Sequence, residues 1–143
     1  MIRLALVAAL SAAVLSATVH AGDAPATPSA PGAQVYIIAP KNGDTVTGPV
    51  RVQFGLKGMG VAPAGIEMEG TGHHHLVVDK DAPPLTTYLP IDDPQVIHFG
   101  KGQTETELKL APGRHTLQLV LADKDHRPHA PPVVSEKITI TVK

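Results

Sequence analysis

Histidine is the residue type of this sequence that could do chemistry. Eight occur in 143 residues that contain no cysteine. Six of them fall in three short groups: His73-His74-His75, His98, and His126 with His129. A neutral imidazole offers a ring nitrogen as a ligand, so clustered histidines without thiols point to a nitrogen site for a transition metal. The spacing agrees. Alternate residues of a strand project to the same side, roughly 6.6 Å apart. His73 and His75 on one strand are thus expected to converge on an ion bonded at about 2.0 Å, with His74 pointing the other way. Pro128 stiffens the loop of His126 and His129. The expected ligand set is His73, His75, His98, His126 and His129, with His98 or His126 able to act instead through hydrogen bonds to other ligands. Copper is the expected metal and zinc the alternative, because copper binds more tightly at equal geometry. Met59 and Met68 are soft groups that would admit Cu(I), or serve as packing and loop filler.

These histidines must be positioned by strands. Val50 to Phe54 alternates apolar and polar residues, the mark of a half-buried strand. Val35 to Ile38, His73 to Asp79, Thr104 to Leu110, the stretch from His115 to Leu121, and Val133 to Val142 read as further strands, with a weak one over Leu85 to Ile91 broken by Pro90. Pro and Gly punctuate the intervals. The whole predicts an all-β, immunoglobulin-like antiparallel sandwich of roughly six or seven strands. Successive connections of such a sandwich alternate between its two ends. If Leu85 to Ile91 counts as a strand, all three histidine groups land at one end and His115 at the other. The Pro112-Gly113-Arg114-His115 stretch places His115 where a structural Tyr often sits in such domains, so His115 is read as structural.

The chain starts with Arg3, an apolar run from Leu4 to Ala17, and Val19-His20-Ala21 as an A-x-A-like cleavage site. That is the layout of a secretory signal peptide over residues 1–21. Its apolar run is short for a bilayer crossing, so no membrane association is expected after cleavage. Residues 22–33 read as a flexible Pro/Ala-rich linker, and residues 34–143 as the sandwich domain. The expected location is the periplasm or the exterior. Lys plus Arg (12) nearly cancel Asp plus Glu (13), which gives no electrostatic footprint for nucleic acid. Nucleotide-binding loops and nucleophile elbows are absent.

Gly72-His73-His74-His75-Leu76-Val77-Val78-Asp79, His98-Phe99-Gly100-Lys101-Gly102, Pro112-Gly113-Arg114-His115 and His126-Arg127-Pro128-His129-Ala130-Pro131-Pro132-Val133 resemble the bacterial family catalogued as domain of unknown function 4399. The resemblance covers about residues 35–142. It implies an exported single domain in which the histidine segments are typical, and it supplies neither metal nor activity. Three functions fit the residues. The first is a periplasmic copper carrier or buffer that exchanges its ion with a partner protein. The second is a copper superoxide dismutase-like enzyme, with Lys101, Lys124 and Arg127 as candidate guides. The third is an interaction domain without metal.

Overall fold

The structure, a computed structural model, describes residues 25–143. The expected signal peptide and the first residues of the expected linker lie outside the described residues. Nine strands follow in order: β1 (Gln34–Ala39), β2 (Thr45–Val46), β3 (Val50–Lys57), β4 (Gly60–Val61), β5 (Thr71–Val78), β6 (Val96–His98), β7 (Glu105–Leu108), β8 (Gly113–Ala122) and β9 (Ile138–Val142). Among the described residues no helix is long and apolar enough to cross a membrane.

Two sheets form the expected sandwich. The smaller has the order β1-β3-β7. The larger has the order β2-β9-β8-β5-β4, with β6 also paired to β5. Alternation explains the layering. Val50, Val52 and Phe54 of β3 point inward and meet Leu76 and Val78 of β5, Leu117, Leu119 and Leu121 of β8, and Ile140 of β9. Leu76, Leu117, Leu119, Leu121 and Ile140 are fully buried. Each such side chain contributes about 1.5–3 kcal/mol of transfer free energy.

β5 departs from the half-buried pattern of β3, because from Gly72 onward both of its faces are covered. A second, smaller apolar cluster of Val77, Leu89, Val120 and Ala122, joined by Ala82 and Leu85, lies on the outer face of the larger sheet. Here the expected strand over Leu85 to Ile91 is corrected: residues 79–95 form turns and bends and no strand. Pro83, Pro84, Pro90 and Pro94 withdraw the amide donors that a ladder needs. The segment instead folds over the outer face and lays Leu85 and Leu89 on it. The ion pairs Lys80–Asp93 and Lys137–Asp81 lie along it.

The expected closing strand is likewise shorter than Val133 to Val142. Ser135 inserts its hydroxyl as acceptor for the Leu119 amide at 2.8 Å, and regular pairing resumes at Ile138. The Pro/Ala-rich segment is no free tether over Thr27 to Ser29. The Ala130 amide donates to the Thr27 carbonyl at 3.0 Å, and the Ser29 amide donates to Ala130 at 3.2 Å. Such backbone pairing needs no apolar side chains, so composition alone did not reveal it.

Candidate metal centre

His73 and His75 share the outer face of β5 with Val77, and His74 faces the interior against Phe54, ring centroids 5.1 Å apart. β6 adds His98 directly opposite His75 in the antiparallel register. Residues opposite each other on adjacent strands point to the same side, so His98 joins the same patch. The fourth ring is that of His126, from the turn after β8. The centroid separations are 4.8 Å for His73–His75, 5.1 Å for His73–His98, 5.1 Å for His73–His126, 5.1 Å for His75–His98 and 4.6 Å for His98–His126. The cluster therefore lies on the outer face of the larger sheet, toward the end of β8 that leads into the His126 turn and away from His115.

Ligand nitrogens of His73, His98 and His126 all lie within 4.8 Å of one another. Bonds of about 2.0 Å to one ion hold its ligands at most ~4 Å apart. A contraction of under about 1 Å would thus complete such a set, and flanking turns can supply it. Nε2 of His98 and Nε2 of His126 are already 3.1 Å apart, a separation that two ligands of one ion would share.

The electrostatics are unusual for buried imidazoles. His73 and His75 are 0% exposed, and neither nitrogen of either ring has a hydrogen-bond partner. A buried polar group without a partner costs about 1–3 kcal/mol. Burial pushes the His73 pKa down to about 4, and His126 and His98 add to the shift. Burial pushes His75 down to about 2, with His73, His98 and His126 acting in the same sense. His98 is lowered too, by burial and then by His126. The rings resist protons and keep their lone pairs, as metal ligation requires. His98 and His126 are half-buried, so the cluster has a closed side on β5 and an accessible side.

Two glycines make room for the rings. A Cβ on Gly100 would sit 2.3 Å from the His98 ring. A Cβ on Gly72 would meet the Ala122 carbonyl at 2.7 Å and the His129 ring at 2.8 Å. Neither glycine has a positive φ, so space is the reason for it.

The remaining candidates stand apart. His129 is buried, with Nε2 3.2 Å from the Thr71 carbonyl, and makes no ring contact with the four clustered imidazoles. Met59 packs on the main core, and Met68 is exposed. His74 is held near pKa 4 by burial, against the pull of the Gln103 backbone. His115 lies toward the other end of β8. There Nδ1 meets Asp79 Oδ2 at 2.7 Å and Nε2 meets the Ala111 carbonyl at 2.7 Å.

A mostly antiparallel β-sandwich, with β2–β9 and β4–β5 paired in parallel, that carries an imidazole cluster on the outside of one sheet is the class that fold and site define. The chain belongs to the family described as "Domain of unknown function (DUF4399)", whose profile matches residues 52–143 and so includes every clustered histidine. No curated protein matches it in sequence. Among solved structures it is similar to the fibronectin(III)-like modules of Clostridium thermocellum CbhA, at 14% identity and TM-score 0.46, covering 77% of this chain and 96% of that one. It is also similar to part of the endo-beta-1,4-mannanase from Thermotoga petrophila, at 17% identity and TM-score 0.45, covering 78% of this chain and 20% of that one.

Proposed function

We propose that this protein is an exported copper-binding protein, a carrier or buffer that holds one Cu(II) ion between His73, His75, His98 and His126. The observation that carries the reading is the set of four buried ring nitrogens on His73 and His75, none with a hydrogen-bond partner, beside two further imidazoles. A metal ion would convert that cost into bonds. The four donors are all imidazole nitrogens, a set that suits Cu(II) or Zn(II) and favours copper by affinity. Two ligands sit on a central strand and two on a short strand and a turn. The second pair can let go first, which suits hand-over to a partner protein.

The test is a titration of the untagged protein with Cu(II) and with Zn(II) against a competing chelator. Replacing His73 and His75 by Ala should abolish binding. Replacing His126 alone should weaken binding and speed release, and adding His129→Ala should change little further. Tighter binding of zinc than of copper would replace copper by zinc. Binding that survives in the His73→Ala/His75→Ala protein would overturn the site.

A further inference from the structure

The cluster's fourth imidazole comes from a turn, so something must fix that turn. His126 has φ 68°, in the left-handed region that non-glycine residues seldom adopt. Asp123 surrounds it with bonds. The His126 amide donates to the Asp123 carbonyl at 3.0 Å, and the Asp123 amide donates to the Arg127 carbonyl at 2.9 Å. The carboxylate Oδ1 accepts the amides of Asp125 at 2.9 Å and Arg127 at 3.0 Å. Those amides lie on either side of His126. The other oxygen, Oδ2, accepts the Thr27 hydroxyl at 2.6 Å. Asp123 is 6% exposed. Burial would raise its pKa, but the Thr27 hydroxyl and the two backbone donors outweigh that and hold it below the usual carboxylate range. Thr27 in turn belongs to the Thr27–Ser29 segment that pairs with Ala130. A continuous chain of hydrogen bonds thus runs from the N-terminal segment through one buried carboxylate to the turn that presents His126.

We infer that Asp123 is the positioning residue of the metal site and that Thr27 to Ser29 form a strap that locks it, so that strap docking and metal binding strengthen each other. The inference rests on the metal reading above. Groups that orient a ligand typically change metal affinity by about 10–100-fold when removed. Coupling between two binding events is reciprocal, so metal should also protect the strap. The arrangement gives the exchangeable half of the site its own control: releasing the strap frees His126 while His73 and His75 stay on β5.

The test combines copper titration with amide hydrogen exchange on the full chain. Thr27→Val should weaken Cu(II) binding by about 5-fold, near the lower end of typical couplings, and Asp123→Ala by about 10–100-fold. Thr27→Ser keeps the hydroxyl and should restore most of the affinity, whereas Asp123→Asn keeps one acceptor oxygen for the turn amides but replaces the other by a donor, and should fall between Asp123→Ala and the native chain. In a His126→Ala background, Thr27→Val should have no further effect, since the strap acts only through that ligand. In the metal-free protein, Thr27→Val should speed exchange at the His126 and Arg127 amides. Equal loss of copper affinity with and without His126 would overturn the inference, because it would mark a general structural role. Unchanged exchange in Thr27→Val would also overturn it, and that readout needs no metal. Failure of the native protein to bind copper would instead overturn the metal reading alone.

Discussion

Two histidine environments on the same pair of strands differ in every polar respect. At one end of β8, His115 has an acceptor at each nitrogen, the Asp79 carboxylate and the Ala111 carbonyl. Only the doubly protonated ring can donate to both, and the Asp79 and Ala111 bonds accordingly raise its pKa. Toward the other end, on the outer face of β5, His73 and His75 have no hydrogen-bond partner and pKa values pushed far down, chiefly by burial. One ring sits between two acceptors and ties Asp79, just past β5, to the start of β8. At the other, burial disfavours protonation of His73 and His75, which pack against two further imidazoles. The same residue type is a clasp where acceptors surround it and an unpartnered cluster where other imidazoles do.

The largest effect should come from replacing the two strand histidines together. His73→Leu with His75→Leu should eliminate copper binding in equilibrium dialysis. It should also stabilise the metal-free protein against urea by about 1 kcal/mol or more, because apolar groups replace buried polar groups that lack partners. A large loss of metal-free stability would mean that the rings have partners after all, and the contrast with His115 would collapse.

Acid should separate the two environments next. His73 and His74 are depressed to about 4 in the folded state against an ordinary value of about 6.5. Between those values the unfolded chain binds more protons than the folded one, so stability is full above about pH 6.5 and falls as pH drops toward 4. Each such imidazole accounts for a loss on the order of 3 kcal/mol. His115 has the opposite sign: its contribution is present below its ordinary pKa and is lost as pH rises through its raised folded value. Thermal unfolding of the metal-free protein between pH 8 and 4 should therefore decline toward acid. A His115 variant should lose less stability, relative to the native chain, at pH 8 than at pH 6. Copper binding should hold from pH 7 to well below 6 and be lost only as pH falls toward 4, where His73 protonates. That is a lower window than the loss below about pH 6 expected of unperturbed imidazoles.

His115→Leu should destabilise the fold by about 1 kcal/mol, the net value of hydrogen bonds whose partners, Asp79 and Ala111, are exposed and can rehydrate, and leave copper affinity unchanged. A fall in affinity would tie the clasp to the site and blur the comparison. The smallest effect is expected from Gly100→Ala. A methyl group there meets the His98 ring and should shift that ring, weakening copper binding by about tenfold without changing any ligand.

The sandwich, and most of its strands, were legible because apolar alternation marks which face of a strand is buried. His73 and His75 were legible as a pair for the same reason: period two puts them on one side. The face they occupy was not. The sequence argument brought the three groups to one end, using a strand over Leu85 to Ile91 to place His98, whereas that segment is a cover held by Leu85 and Leu89 on Val77 and Val120. Val77 and Val120, on the outward faces of β5 and β8, were the available signal that this sheet is buried on both sides. His126 and His129 were indistinguishable by spacing. They differ because Asp123 turns the chain at His126 and the Thr71 carbonyl takes up His129. Such choices depend on pairings distant in sequence, of which Thr27 with Asp123 is the extreme case.

The most direct test of the central claim is a crystal structure of the copper-loaded protein with anomalous scattering at the copper edge. The account predicts a single peak on the outer face of β5, about 2.0–2.1 Å from ring nitrogens of His73, His75, His98 and His126, and none at His115. A peak elsewhere, or none at the four rings in protein shown to be loaded, would contradict it.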